Sequence, residues 1–326
     1  MSEVSISNTN PKILLVASRA LAALRPSLIA FLIVKASELS GGGETPISFC
    51  NVLFVGNLCA ALLVIGWFGF KPIISDLKEI EWRLWLGLFV NACLAALLSS
   101  LIFIGLGYTS VTNAVLLGRF GPVLYAIAGA FLFDRRLHKA EWFGFSLIMV
   151  GILAIVLKSN DFQINRGDLF ILGSALVYAV TSVLGKVMLF QDCTLRTMVF
   201  TRNFLSSIIF FIIAMRIFGP KHFADVFSGQ LWIVMVVYAL IVIVMAQFLW
   251  YGALEKLDAK TVGRWTVLSP VFGVVYAYLL NGERPTAIQG IAFAVIMAGV
   301  LISTFGKQPL MPKELAGGAE STISSS

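Results

Sequence analysis

The chain has 326 residues, of which 59% are hydrophobic and only 13% are charged. A soluble domain carries about 25% charged residues, and the mean hydropathy of +0.92 spreads the apolar excess over the whole chain, which excludes a soluble enzyme or binding domain and points to a membrane protein. The formal net charge of +7 sits in short joints between apolar runs, so it reads as a topology signal and not as a nucleic-acid surface.

Residues 1–12 are polar and carry no basic segment ahead of an apolar core. They read as a cytoplasmic tail, with no cleaved signal peptide. A helix needs roughly 20 apolar residues to cross a hydrocarbon core of about 30 Å. Ten candidate runs follow, at 13–39, 47–70, 84–107, 111–133, 142–157, 169–189, 198–218, 231–254, 262–280 and 287–305. The first contains Arg19 and Arg25, which leaves its start open. Helix breakers mark several joints: Gly41-Gly42-Gly43 ahead of Pro46, Phe70-Lys71-Pro72, and Phe218-Gly219-Pro220. Residues 134–141 form a charged joint, and 307–326, ending in Gly and Ser, read as a disordered cytoplasmic tail. Cys50, Cys59 and Cys93 lie in apolar runs and Cys193 in a short joint, with no CxxC pair. They read as small buried hydrophobes.

With ten spans and a cytoplasmic N-terminus, fifteen Lys and Arg fall on the cytoplasmic side. Five, Lys158, Arg166, Arg216, Lys221 and Arg284, fall on the other. Both termini are therefore expected in the cytoplasm.

A shift of 148 positions superimposes the chain on itself. Pro122, Arg136, Phe145, Ile148, Met149 and Gly151 fall on Pro270, Arg284, Phe293, Ile296, Met297 and Gly299. The shift carries the fourth run onto the ninth and the fifth onto the tenth. Five is odd, so the two copies must point in opposite directions. The expected fold is an all-α membrane protein of ten transmembrane helices in two inverted five-helix repeats, 13–157 and 158–306, an architecture common among secondary transporters.

The second copy reads Leu268-Ser269-Pro270-Val271-Phe272, Gly282-Glu283-Arg284 and Ile296-Met297-Ala298-Gly299; the first reads Phe120-Gly121-Pro122-Val123-Leu124, Asp134-Arg135-Arg136 and Ile148-Met149-Val150-Gly151. On these segments the chain resembles the drug/metabolite transporter superfamily, in particular its EamA-type members. The first copy departs from the family pattern at Arg135, where a glutamate is usual. Arg202 matches a basic residue typical of the second span of a repeat, while Gly56 stands at that place in the first copy. The resemblance implies export of amino acids or other small metabolites, with both termini cytoplasmic and a central cavity bordered by the third and eighth spans.

Arg119 is the sharpest single feature. It lies roughly 12 Å into the fourth run at 1.5 Å per residue, where a charge is costly and faces a cavity or a partner. No mid-span acid is present to pair with it, and Pro122, three residues on, frees backbone carbonyls. A broken helix with a buried cation suits an anionic or carboxylate-bearing solute; a structural pairing with backbone carbonyls is the other reading. Pro122 and Pro270 are the expected hinges. Asn91 and Gln247 are mid-span amides on the spans that border the family's cavity, and Tyr125, Trp250 and Trp265 are candidate walls. Lys35, Lys186 and Arg202 are secondary candidates, near span ends where long side chains also reach the interface. Asn57 and Asn203 read first as interhelical hydrogen-bonding groups. Glu283 and Arg284 read as a structural or gating pair in a joint.

His138 and His222 both lie in joints, which offers no metal site, and the chain holds no HExxH, GxSxG or Walker motif. No cofactor, enzymatic activity or ATP-driven cycle is expected. The function expected is a secondary transporter that exports amino acids or related small metabolites by alternating access; the alternative is a carrier of phosphorylated metabolites or nucleotide-sugars. With no mid-span carboxylate for proton coupling, exchange or facilitated efflux is expected. The expected partners are a small-molecule solute and the lipid bilayer, with no nucleic acid. The protein is expected as a monomer or homodimer in the plasma (inner) membrane.

Overall fold

In the computed structural model the described residues are 10–35, 48–132, 137–158, 165–189, 193–246 and 267–305, with Leu249, Ala253, Leu257 and Trp265. Every regular element among them is helical. In chain order these are α1 (Pro11–Ala23), α2 (Arg25–Val34), α3 (Phe49–Phe68), α4 (Phe70–Glu79), α5 (Trp82–Leu106), α6 (Val111–Leu117), α7 (Phe120–Leu132) and α8 (Lys139–Lys158). There follow α9 (Arg166–Leu189), α10 (Leu195–Ile213), α11 (Gly219–Phe223), α12 (Gly229–Tyr238), α13 (Ser269–Asn281) and α14 (Ala287–Phe305). Taking α1 with α2 and α6 with α7, eight helical stretches are long and apolar enough to cross a bilayer; the apolar stretches Gly229–Met245 and Ser269–Asn281 are shorter.

Side-chain caps set several starts. Ser48 accepts from the Asn51 N–H at 3.2 Å and Ser110 from the Asn113 N–H at 3.1 Å, satisfying amides that a helix leaves orphaned. Two joints differ from the sequence expectation. Gly69 (φ 84°) does end α3, but Pro72 then sits in the first turn of α4, where its missing N–H costs nothing. Gly219 (φ 82°) and Pro220 likewise both break one helix and open α11. The glycine stops a helix by adopting left-handed φ, and the proline next to it starts another. The fifth run, expected at 142–157, is lengthened to Lys139–Lys158 because Glu141 turns back to accept from the His138 N–H at 2.9 Å and builds a first turn from charged residues.

The internal repeat is visible in the packing. α8 lies against α14 and α3 against α10, each helix on its own repeat mate. α9 lies against α5 and α7, while α1 lies against the segment Ala239–Met245 and α13. A two-fold axis between the halves produces this pattern: mates on the axis meet each other, and off-axis pairs are exchanged. The glycines on α8 and α14 give its direction. A Cβ on Gly144 would stand 2.5 Å from Gly299 O, and one on Gly151 would stand 2.5 Å from Ile296 Cγ1. Contacts ascend one helix as they descend the other, so α8 and α14 are antiparallel. The capping boxes repeat as well, His138 with Glu141 on α8 and Thr286 with Gln289 (2.8 Å) on α14.

Both spans that carry a repeat proline are broken near it. Between α6 and α7 the chain tightens, with Arg119 N–H on Leu116 O (3.1 Å) and Gly121 N–H on Gly118 O (3.2 Å). Pro122 has no N–H to continue the ladder to Gly118. Pro270 sits in the first turn of α13 behind a turn at Leu268, whose N–H reaches Trp265 O at 3.3 Å.

Candidate solute-binding cavity

A cavity of 200 Å³ lies among α2, α3, α5, α10 and α12. Its polar lining is Arg25, Asn57, Ser99, Arg202, Asn203 and Tyr238, and its apolar wall includes Ile29, Leu98, Ile102 and Met235. Arg25 opens α2, immediately after the turn at Leu24 and just before Pro26. It stands about 21 Å along the helix axis from Pro11 and about 14 Å from Val34, too deep for a side chain to reach either interface with ease. The Arg25 guanidinium is in hydrogen-bonding contact with the Tyr238 hydroxyl, and its Nε is buried without a partner among the described residues. Tyr238 ends α12 where the chain widens into the π-helix Ala239–Met245. Such insertions sit often at functional sites because they re-aim the side chains around them. Arg202 enters about 10 Å from the start of α10. Among the described residues, the lining includes two guanidiniums and no Asp or Glu.

The expected site residues do not gather in one place. Arg202 lines the cavity. Arg119 does not; it occupies the α6–α7 break, its Nε 3.4 Å from Val115 O, near Tyr178 of α9. Tyr125 is also near Tyr178. Arg119 and Tyr125 are thus each near Tyr178 of α9, and neither is among the residues that line the cavity. Asn91 is buried in α5 with its Oδ1 unpartnered among the described residues, and it too is outside the lining. Trp265 is 37% exposed, and Lys35 ends α2. Gln247, Trp250 and the Lys186 side chain lie outside the described residues.

A second polar cluster closes one end of the bundle. Glu283 accepts from the N–H groups of Val111 (2.6 Å) and Thr112 (2.9 Å) and from the Thr112 hydroxyl (2.9 Å). A carboxylate there satisfies orphan amides and meets the positive end of α6. Glu283 is therefore a cap on another span, whereas its sequence neighbour Arg284 was the expected partner. Beside it, Thr109 donates to Asp168 at 2.5 Å, and Asn113 accepts from Gln289 Nε2 at 2.7 Å while lying 3.5 Å from the same Asp168 oxygen. Asp168 and Asn113 are buried. They meet because Gly105 and Gly167 let α5 and α9 cross closely: a Cβ on Gly167 would stand 2.8 Å from Gly105 O. At the opposite end, Asp76 of α4 takes a bidentate pair from Arg196 (2.7 and 2.8 Å), with the Thr194 and Thr197 hydroxyls at 2.6 and 2.8 Å. A recess of 520 Å³ surrounds that cluster at the helix ends.

The repeat packing and the cavity between the halves agree with the family match. The EamA-like transporter family covers residues 44–157 and 165–305. The chain belongs to that family, within the drug/metabolite transporter superfamily. This EamA-like chain is 32% identical over 270 residues to an uncharacterized transporter of Synechocystis, covering 80% of this chain and 77% of the relative. It is 26% identical over 257 residues to a riboflavin transporter of Fusobacterium nucleatum, covering 76% and 84%. With a probable amino-acid metabolite efflux pump of Salmonella typhimurium it shares 24% over 185 residues, covering 55% and 62%. A crystal structure with 17% identity, covering 88% of this chain and 98% of its own, superimposes with a TM-score of 0.57 and shares the fold.

Arg25 escaped the sequence reading. It lies in the first apolar run beside Arg19, where two basic residues looked like a blurred inner boundary. The available signal was Arg25-Pro26 well inside that run, a cation at a helix break, the same combination that singled out Arg119 and Pro122.

Proposed function

We propose that this protein is a secondary transporter that exports small carboxylate-bearing metabolites, amino acids and their relatives among them, by alternating access. The observation that carries the reading is the pair of arginines, Arg25 and Arg202, lining a cavity between the repeat halves. An arginine at the centre of a span costs about 3 kcal/mol on insertion scales, so it persists where it serves a partner. A guanidinium offers a planar fork that fits a carboxylate. The 200 Å³ volume is small beside the roughly 300–1,000 Å³ of sites for drug-sized ligands. It suits a solute of amino-acid size better than a flavin or a nucleotide-sugar.

In this reading Gly229–Met245 and Ser269–Asn281 count as the eighth and ninth of ten spans. Both termini are cytoplasmic, in the plasma membrane. The excess of Lys and Arg on the side of α4 then makes the Asp76–Arg196 end the inner one and the Asp168–Gln289 end the outer one. The outer cluster acts as a gate, holding α6, α9 and α14 together until solute occupancy shifts the balance between two states. Arg119 and the prolines Pro122 and Pro270 sit at the breaks about which the repeats flex, and Arg119 acts there and not on the solute. Gln247, Trp250 and Trp265 remain candidates for the wall on the side of the eighth and ninth spans. Exchange or facilitated efflux supplies the drive.

Untargeted metabolite profiling of medium from cells expressing wild type or Arg202→Gln, at matched surface expression, tests the reading. Carboxylates that accumulate outside for wild type and fall at least about tenfold for the variant are expected. Accumulation of amines or neutral solutes alone, unchanged in the variant, would remove the carboxylate assignment.

A further inference from the structure

Gly56 of α3 and Met235 of α12 both line the cavity. A Cβ on Gly56 would collide with the Met235 Cε, so the thioether end of Met235 occupies the notch that the glycine leaves. The rest of Met235 is held in place. It is 2% exposed and belongs to the same packed cluster as Val52, Val55 and Cys59 of α3. Between the two repeats, Gly56 falls opposite Arg202. One copy of this position therefore supplies charge to the cavity, and the other supplies room for a methionine. Met235 precedes Tyr238 by one turn of α12, about 4.5 Å along the axis, and Tyr238 is in hydrogen-bonding contact with Arg25. A solute anchored by its carboxylate at Arg25 reaches toward Met235 with its carbon chain.

We infer, on the footing of the export reading above, that Met235, seated against Gly56, is the stop that sets how long a solute side chain the transporter accepts. Methionine is unbranched and bends to the space it is given. The other wall residues Ile29 and Ile102, branched at Cβ, are stiff. With glycine at position 56 the thioether lies back against α3, and the cavity keeps its 200 Å³. A methyl group at position 56 closes the notch. It meets the far end of a flexible chain whose base is packed, so the thioether swings toward the cavity and shortens it. Truncation of Met235 does the reverse, because Cγ, Sδ and Cε leave their space to the solute. A solute chain one methylene too long for an apolar wall loses about tenfold in rate or more.

Counterflow into proteoliposomes of the full-length chain tests this with two straight-chain series, 2-amino and 2-hydroxy acids of about three to eight carbons. Each compound is preloaded and exchanged against its own labelled form, and each rate is taken relative to the shortest solute in the same variant. Wild type should show a chain length at which the relative rate drops at least about tenfold. Met235→Ala should move that drop to chains about two carbons longer, and Gly56→Ala to chains about one carbon shorter. Adding Gly56→Ala to Met235→Ala should leave the drop where Met235→Ala put it, because the two residues act through one contact. Gly56→Ala keeps every side chain of the packed cluster, so it decides the matter even where Met235→Ala does not fold. A wild type with no drop over the series, or a drop at the wild-type length in either variant, would overturn the inference and leave carboxylate export standing. Counterflow of neither series by wild type would overturn both.

Discussion

Asp76 shows how one side chain ties the two repeats together. It sits on the short helix α4 of the first repeat, and all its partners, Arg196, Thr194 and Thr197, belong to the start of α10 in the second. The Arg196 guanidinium, with help from the two hydroxyls, holds the Asp76 carboxyl well below the usual carboxylate range. A group whose folded value is depressed stabilises the fold above its unfolded value, near 3.9, and loses that contribution as pH falls toward the folded value. The Arg196 side chain is 34% exposed, so solvent screening limits the pair to about 1 kcal/mol despite its bidentate geometry. Unfolding curves in detergent should therefore place Asp76→Asn about 1 kcal/mol below wild type at pH 7. The gap should shrink steadily below about pH 4. A gap that held constant down to pH 3 would assign the loss to packing and not to the ion pair. Nothing in the sequence identified Asp76, because its partner lies 120 positions away across a joint that looked like a plain loop.

At the scale of helices, the sequence carried the run positions and the repeat, since both rest on local composition and on ordered Pro and Gly. It did not carry which helices pair. Ile148-Met149-Val150-Gly151 and its mate looked like a motif. In the structure they form the contact on the two-fold axis, where Gly144 and Gly299 admit each other's backbone. Gly144→Ala puts a methyl group 2.5 Å from Gly299 O and 2.7 Å from Ser303 N. Backbone cannot rotate away as a side chain can, so the variant should lose about 1–3 kcal/mol in an SDS-unfolding titration. Unchanged stability would mean that α8 and α14 are not in close contact in the membrane. The outer cluster is also a property of elements. Gln289→Leu removes the 2.7 Å bond that joins α14 to Asn113 on α6. If the cluster is the outer gate, Ser99→Cys in the cavity should react several-fold faster with an impermeant thiol reagent added outside when Gln289→Leu is present. An unaltered rate would show that the cluster braces the fold without gating it.

For the whole molecule, the membrane class, the repeat organisation and the family were legible from composition, an odd five-span unit and a few motif positions. The site was legible only in part. A buried arginine can be recognised from sequence, but which cavity it faces depends on helix rotation and on the partner span. Arg119 and Arg25 are alike in sequence, each a cation at a proline-broken span. Yet one rests near Tyr178 on the α7–α9 face, and the other enters the central cavity beside Tyr238. The same ambiguity left Arg202 a secondary candidate, with the interface as its other reading, and the structure sets it in the cavity lining.

The most direct test of the central claim is the initial export rate of a wild-type solute measured side by side for Arg25→Gln and Arg119→Gln at matched surface expression. The account predicts a loss of at least about tenfold for Arg25→Gln, with a smaller effect for Arg119→Gln that appears in the maximal rate and not in apparent affinity. Wild-type export by Arg25→Gln, together with loss of apparent affinity in Arg119→Gln, would contradict it and move the solute site to the α7–α9 face.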